Sequence, residues 1–371
     1  MASNIIVMKK LVIVFTALLF TLNASAQNHK LIVGTFTRSN NSEGIYIYDF
    51  DTKTAESKAL GIIKSEADQG YLALSATNNV IYSTYMLKDK SAVTAYSFNT
   101  TTTENNLINQ LPAGQNPSYI ITDGKNVITA NYGGGNINVF GLNADGALQN
   151  KKQLIQHTGR GPDDRQTSAH AHQVMFSPDK KYVLATDLGE DKIYIYNYNA
   201  NAAQPLSLKT TVSTNAGSGP RHLTFSPNGK FVYLIHEFNG KISAFNYKNG
   251  SLTLVQQIST TSADFSGKID GADIHISADG KFLYQTNRGD ANTISTFSIA
   301  KNGHLTLVET VSTLGKGPRN FSLDPSGNFL LIAHQYTNDI VIFKRNRLTG
   351  KLTDSGKRIN VGTPVCLVFS K

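Results

Sequence analysis

Four stretches of the chain repeat one pattern: HQVMFSPDKKYVLATDLGEDKIYIY at 172–196, RHLTFSPNGKFVYLIHEFNGKISAF at 221–245, DIHISADGKFLYQTNRGDANTISTF at 273–297 and RNFSLDPSGNFLLIAHQYTNDIVIF at 319–343. In each copy an apolar segment meets a turn of the Ser-Pro-Asp/Asn-Gly kind, a second apolar segment follows, and a polar loop leads to a third. The hydrophobic residues recur with a period of two, which indicates β-strands, and not with the 3.6-residue period of a helix. The repeat therefore predicts an all-β protein built from one unit.

Weaker copies of the unit begin near Tyr71 and Tyr119, and a truncated copy starts at Val365. Their starts are separated by roughly 45 to 55 residues, a spacing typical of four-stranded propeller blades. The last copy stops after one strand, whereas residues 31–50 supply strands that lack the preceding one. We expect the two ends to complete one blade together, which closes a seven-bladed β-propeller and removes exposed sheet edges. An open solenoid would need capping repeats, for which the sequence offers no candidate.

The composition favours this fold and excludes several functions. Charged residues make up 16% of the 371 residues, well below the roughly 25% of an average domain, so long surface helices are not expected. The single cysteine, Cys366, excludes an intramolecular disulfide and a cysteine-based metal centre. The net charge of +9 is spread without Lys/Arg-rich runs, so nucleic-acid binding is not expected. No motif calls for a cofactor.

The first residues are typical of an export signal. Lys9 and Lys10 precede the apolar run 11–22, and Ala24-Ser25-Ala26 is a small-x-small cleavage site. We expect a signal peptide over 1–26 that is cleaved after Ala26, a single propeller domain over 27–371, and a periplasmic or secreted protein. The apolar run is shorter than the ~20 residues of a membrane span, so no membrane anchor is predicted.

The repeat register also predicts where a functional site lies. The residue that opens the first strand of each copy is beside the residues that end the second, because the two strands form a hairpin. If first strands line the central channel, these positions meet at its mouth. The opening positions are Gly70, Pro117, His172, Arg221, Ala272, Arg319 and Val365, and the strand ends are Thr35-Phe36, Thr84-Tyr85, Asn131-Tyr132, Asp187-Leu188, His236-Glu237, Asn287-Arg288 and His334-Gln335.

Several copies carry His, Arg or Glu at these positions, and such groups are costly to cluster unless they act on something polar. The predicted cluster contains an excess of cations and one carboxylate: His172, Arg221, His236, Glu237, Arg288, Arg319 and His334. Such a cluster favours a small anionic or anion-forming substrate. The structural alternative is a set of channel-mouth charges that only solvate the ring and link its blades.

The chain resembles the lactonase family of seven-bladed propellers, which includes bacterial 6-phosphogluconolactonases and fungal carboxymuconate lactonizing enzymes. The matching segments cover the chain from VGTFT at 33–37 through NPSY at 116–119, ANYGGG at 130–135, DDRQTSAHAH at 163–172, GPRHLTFSPNGKFVYLIHE at 219–237, YQTNRG at 284–289 and GPRNFSLDPSG at 317–327. The resemblance implies catalytic roles for His172, Arg221, Glu237 and Arg288, the same residues that the register selects.

Opening a lactone requires an activated water, a stabilised oxyanion and a protonated leaving alkoxide. We expect Glu237 or His172 to be the general base and the other to be the acid, while Arg221 and Arg288 hold the oxyanion or an acidic substituent of the substrate, without a metal ion. Further substrate contacts are expected from Arg165, His170, Tyr132, His236, Arg319 and His334. The substrate is expected to be a sugar lactone, and export favours an unphosphorylated or differently acidic lactone, because phosphorylated sugar lactones arise in the cytoplasm.

Two other functions remain open at this point. The same face fits a non-catalytic propeller that binds an acidic sugar or a protein partner, and it fits a lactonizing isomerase. A metal site at the His-x-His pair His170 and His172 is less well supported, since neither a His-Glu-x-x-His motif nor a cysteine set accompanies it.

Overall fold

The computed structural model describes residues 28–39 and 41–370, and these residues form 28 strands in seven four-stranded antiparallel sheets. The predicted signal peptide at 1–26 lies outside the described residues. From the innermost strand outwards, blade 1 contains β28 (Pro364–Phe369), β1 (Asn28–Thr35), β2 (Gly44–Asp51) and β3 (Ser57–Lys64); blade 2 contains β4 (Leu72–Leu74), β5 (Val80–Leu87), β6 (Lys90–Phe98) and β7 (Asn105–Pro112); blade 3 contains β8 (Pro117–Thr122), β9 (Asn126–Asn131), β10 (Asn136–Leu142) and β11 (Leu148–Gln156).

The other four blades follow the same order along the chain. Blade 4 contains β12 (Ala171–Phe176), β13 (Tyr182–Asp187), β14 (Lys192–Tyr198) and β15 (Leu206–Ser213); blade 5 contains β16 (Pro220–Phe225), β17 (Phe231–His236), β18 (Lys241–Lys248) and β19 (Ser251–Ser259); blade 6 contains β20 (Ile269–Ile276), β21 (Phe282–Gly289), β22 (Thr293–Ile299) and β23 (Leu305–Ser312); blade 7 contains β24 (Pro318–Leu323), β25 (Phe329–His334), β26 (Asp339–Arg345) and β27 (Leu352–Asn360). The prediction of a seven-bladed propeller is confirmed.

The two ends of the chain close the ring in one blade. Strand β28 pairs antiparallel with β1, with Leu31 opposite Phe369 and Val33 opposite Leu367. The C-terminal strand therefore forms the inner edge of a blade whose other three strands come from the N-terminal region. This pairing satisfies backbone groups that would otherwise form two exposed sheet edges.

The Ser-Pro-Asn-Gly turn explains why the first hairpin of blade 5 is tight. In blade 5 the Ser226 hydroxyl accepts a hydrogen bond from the backbone N–H of Phe231 at 2.9 Å and donates one to Asn228 at 2.7 Å. Gly229 has a φ of 67°, a conformation that glycine adopts without steric cost. The turn thus fixes the register between the innermost strand and the next.

The hydrophobic core lies between neighbouring blades rather than at the centre of the ring. Leu184 and Ile193 of blade 4, for example, pack with Val232, Leu234 and Phe245 of blade 5, and all five are buried. In the described part of the chain, no helix has the length and hydropathy of a transmembrane span.

Five of the seven innermost strands have a β-bulge near their first residue, and this feature builds the site. In β12 the pairing passes from Ala171 directly to Gln173, and in β16 from Pro220 to His222. The pairing skips Ser118 in β8, His172 in β12, Arg221 in β16, Arg319 in β24 and Val365 in β28. Because a bulged residue is released from strand alternation, its side chain is re-aimed.

Candidate active site

The bulged residues meet in a cavity of about 210 Å³ at one end of the central channel. Blades 4 to 7 contribute a side that we call the charged wall, formed by His172, Arg221, Glu237, Arg288 and Arg319. Blades 1 to 3 contribute a side that we call the neutral wall, formed by Phe36, Gly70, Thr84, Met86 and Pro117. The residues of the charged wall lie together at one end of the channel, as the repeat register predicts.

Glu237 is the centre of the charged wall. One carboxylate oxygen, Oε2, accepts a hydrogen bond from Arg221 Nε at 2.9 Å and forms an ion pair with Arg288 Nη2 at 2.9 Å, while Oε1 lies 3.4 Å from Arg165 Nη1. Burial would raise the pKa of this carboxyl, but the guanidiniums of Arg288 and Arg221 outweigh burial and hold the pKa below its usual value. Glu237 is therefore a carboxylate at neutral pH and not a proton donor.

The arginines of the charged wall differ in how their charge is balanced. Arg221 and Arg288 both pair with Glu237, and Arg221 also donates to the carbonyl of Ala272. Arg319 has no carboxylate partner among the described residues; it lies 3.5 Å from Gln335 Oε1 and 5.3 Å from the centre of the Phe36 ring.

Burial, Arg221 and Arg288 lower the pKa of Arg319 to about 9. A guanidinium remains protonated at neutral pH, so the charged wall carries an excess of positive charge. This excess suits an anion or a developing oxyanion.

His172 lies beside these cations and is uncharged. Its ring is 5.0 Å from His222 and 5.8 Å from Tyr132, both edge-on. Burial and the nearby Arg221 hold the pKa of His172 well below its usual value. Among the described residues its buried Nδ1 has no hydrogen-bond partner.

Three predicted substrate contacts lie in or next to the cavity wall. Tyr132 lines the cavity, and His170 stacks on the outer side of its ring at 4.4 Å. Arg165 is 40% exposed and lies over the Phe238 ring at 3.7 Å, so it belongs to the rim rather than to the interior. Only Tyr132 of these three faces the cavity directly.

The structure places His236 and His334 outside the cavity. His236 Nε2 hydrogen-bonds the Ser243 hydroxyl at 2.7 Å, inside blade 5. His334 is fully buried, with its Nδ1 3.2 Å from the Asp339 carboxylate. Successive side chains of a strand point to opposite faces, so His236 turns away where Glu237 turns in. The sequence interpretation treated the two strand-end positions as equivalent, and they are not.

Several residues of the cavity were missed by the sequence interpretation as parts of the substrate site. Met86 comes from blade 2 and Asp68 from the loop before it, and the charge of Asp68 is balanced by Arg38 at 2.6 Å. Phe36 was among the strand ends that the register placed at the channel mouth, but it was not assigned a substrate contact. His222 lines the cavity directly after Arg221. In a regular strand the side chains of Arg221 and His222 would point to opposite faces. His222 could therefore have been predicted as a cavity residue only if the bulge at Arg221 had been recognised.

Within residues 28–39 and 41–370, one group of residues has the ligand types of a metal site. His157, Asp187 and Glu190 are buried in blade 4 with potential ligand atoms within 4.8 Å of one another. These atoms already bind protein groups: His157 contacts Asp187 at 2.7 Å and the Tyr196 hydroxyl at 2.8 Å, and Glu190 accepts from Lys192 at 2.7 Å. These contacts hold the loop after β13, and none of the three residues lines the cavity.

Comparison with known proteins assigns the family. The model of the family described as "Lactonase, 7-bladed beta-propeller" matches residues 30–369. The chain belongs to this lactonase family. It is similar to the 6-phosphogluconolactonase of Bacillus subtilis, at 36% identity over 91% of this chain and 97% of the relative. It is also similar to a 6-phosphogluconolactonase of Formosa agariphila, at 38% identity over 87% and 94% of the two chains.

A solved structure extends this similarity to three dimensions. The periplasmic gluconolactonase of Pseudomonas aeruginosa superposes with a TM-score of 0.88 at 33% identity, covering 93% of this chain and 99% of the other. The lactonase family assignment confirms the prediction of a lactone-hydrolysing enzyme. The roles of individual residues stay predictions.

Proposed function

We propose that the protein hydrolyses the ester of a sugar lactone, as a 6-phosphogluconolactonase-like enzyme of carbohydrate metabolism, by acid–base catalysis that needs no metal ion. The observation that carries this proposal is the neutral, partly unpartnered His172 next to two arginines that share Glu237. A base, an oxyanion site and a proton donor can all be supplied by these four side chains.

In the proposed mechanism His172 is the general base. Its imidazole is neutral at neutral pH, so it can accept a proton as water attacks the lactone carbonyl. Nearby cations disfavour the imidazolium, which makes the protonated His172 a good acid for the ring oxygen. The ester C–O bond breaks, the alkoxide takes this proton, and the new carboxylic acid then ionises.

Arg221 and Arg288 stabilise the oxyanion of the tetrahedral intermediate. Both guanidiniums are held by the same Glu237 oxygen, so they are oriented before substrate binds. In this mechanism Glu237 is not the acid, because its ion pairs keep it ionised, and it is not the base, because the same ion pairs lower its pKa and make it a weak proton acceptor. It orients the two arginines and balances part of their charge.

An assay of purified protein lacking residues 1–26 tests the proposal. The substrates are 6-phosphogluconolactone, gluconolactone and further aldonolactones, with chelator present and spontaneous ring opening subtracted. We expect turnover that survives chelation and is lost in Arg221→Ala while folding is retained. Binding of gluconate without turnover of any lactone would instead favour the non-catalytic propeller, and wild-type activity in Arg221→Ala would refute the mechanism.

We further propose that the protein is exported, since the positive residues, the apolar run and Ala24-Ser25-Ala26 form a cleavable signal. An unphosphorylated sugar lactone is then the expected substrate. Cell fractionation followed by N-terminal sequencing should find a periplasmic or secreted chain that begins at Gln27. A chain with an intact Met1 in the cytoplasm would contradict export without affecting the proposed chemistry.

A further inference from the structure

The floor of the cavity contains a histidine that the mechanism above does not use. His222 lines the cavity from below the charged wall, and the rings of Tyr71 and Tyr119 meet it edge-on at 6.1 Å and 5.2 Å. The two tyrosine rings are 3.9 Å apart, and Tyr71 borders both this cavity and the apolar opening at the other end of the channel. These side chains therefore separate the two ends of the channel.

Asp273 fixes the protonation pattern of His222. The Asp273 Oδ1 atom lies 2.8 Å from His222 Nδ1. Burial would raise the pKa of Asp273, but His275 and His222 outweigh burial and hold it well below its usual range. A carboxylate only accepts hydrogen bonds, so His222 Nδ1 must carry the hydrogen in this contact.

The opposite nitrogen of His222 is then an acceptor. Burial and Arg221 lower the pKa of His222 to about 4, so the ring is neutral at neutral pH and its Nε2 has a free lone pair. Arg221 Nη1 lies 3.4 Å from this Nε2. His222 Nε2 thus offers a hydrogen-bond acceptor to an N–H of Arg221 Nη1.

Arg221 is thereby held from three directions. Its Nε donates to Glu237, and its Nη1 donates to the Ala272 carbonyl and faces His222 Nε2. If His222 took the other tautomer, an N–H would face the guanidinium and two donors would oppose each other. The Asp273 contact prevents this arrangement.

We infer that Asp273 and His222 are positioning residues, which act in series to orient the Arg221 guanidinium for its role in lactone opening. This inference rests on the proposed function, because it gives Arg221 the oxyanion. Misplacement of a stabilising group by about 1 Å can lower a rate by about 100-fold. Loss of either residue should therefore lower kcat more than it changes KM.

The structure provides a matched control for the other role of Asp273, which is to join blades. Its Oδ2 atom accepts from His275 Nε2 at 2.9 Å and from Asn320 Nδ2 at 2.6 Å, both on the side away from Arg221. His275 borders the other end of the channel and is 37% exposed. His275→Gln removes the imidazole but keeps an amide N–H that can donate to Oδ2, and Asn320 still donates to the same oxygen, so Asp273 Oδ1 stays an acceptor for His222.

The test compares wild type with Asp273→Asn, His222→Phe, His222→Gln and His275→Gln, by kcat, KM, Tm and crystal structures. We expect Asp273→Asn and His222→Phe to lower kcat about tenfold to 100-fold, with KM within about threefold and the Arg221 guanidinium displaced. In His222→Gln the amide oxygen can serve as an acceptor near the position of Nε2. The kcat of this variant should therefore be higher than that of His222→Phe and within about threefold of wild type.

His275→Gln should keep kcat within about twofold of wild type, whatever its effect on Tm. The reason is that the change lies on the side of Asp273 away from Arg221 and leaves the contact between His222 and Arg221 in place. Equal losses of kcat in His275→Gln and Asp273→Asn, or an unmoved Arg221 in His222→Phe, would overturn the inference. If wild type opens no lactone, the proposed function fails, and the position of Arg221 in the crystal structures still decides the inference.

Discussion

The two walls of the cavity are built on the same blade pattern but differ in chemistry. In blades 4, 5 and 7 the bulged residues are His172, Arg221 and Arg319, whereas in blades 3 and 1 they are Ser118 and Val365. The charged wall gathers cations around one carboxylate, and the neutral wall offers rings and small groups. The difference indicates that every blade offers equivalent positions at the channel mouth, but that the charged side chains lie on the side formed by blades 4 to 7.

This comparison predicts that catalysis depends on the charged wall and that the neutral wall mainly shapes the substrate. The largest effect is expected from His172→Asn, which removes the proposed base while keeping a polar side chain. The value of kcat should fall by about 10² to 10⁴, as is typical of losing an acid–base group. Steady-state kinetics of this variant and of the exposed control His304→Asn measure the effect, and comparable kcat in the two variants would rule out the role of His172.

A smaller but clear loss is expected from Glu237→Gln. The amide keeps the shape of the side chain but removes the charge that orients Arg221 and Arg288. We expect kcat/KM to fall about tenfold to 100-fold, since removal of a preorganised oxyanion donor costs about 10² to 10³ and here the donors themselves remain. A loss as large as that of His172→Asn would point back to Glu237 as the base.

The pH profile of kcat/KM should be flat around pH 6.5, where an ordinary histidine titrates. The active form of His172 is the neutral imidazole, and burial with Arg221 keeps its pKa well below 6.5. Lowering the pH from 8 to 6 should therefore change kcat/KM little, and the acid limb should appear well below pH 6.5. An acid limb with a midpoint near pH 6.5 would show that the base is not this depressed histidine.

The smallest effect is expected on the neutral wall. Met86→Leu conserves volume and apolar character at a position that carries no charge. We expect kcat to stay within about twofold, with any change confined to KM for bulkier lactones. A drop in kcat close to that of Glu237→Gln would remove the functional distinction between the two walls.

The sequence determined the ring and much of its site. Apolar alternation with a period of two, the Ser-Pro-Asn-Gly turns and the regular spacing of copies are local signals, so the seven blades and the shared terminal blade could be read from them. Aligning the copies placed His172, Arg221, Glu237 and Arg288 at equivalent channel positions, because residues of one repeat register occupy the same place in each blade.

The tertiary structure alone decided which of these side chains share the cavity. The bulges shift the pairing by one residue, and a one-residue shift reverses the face of a side chain. His236 and His334 lie outside the cavity for another reason: each is the last residue of its strand, and successive side chains point to opposite faces. The contact of Asp273 with His222, and that of Phe36 with Arg319, join different blades, and no local pattern in the chain encodes such distances.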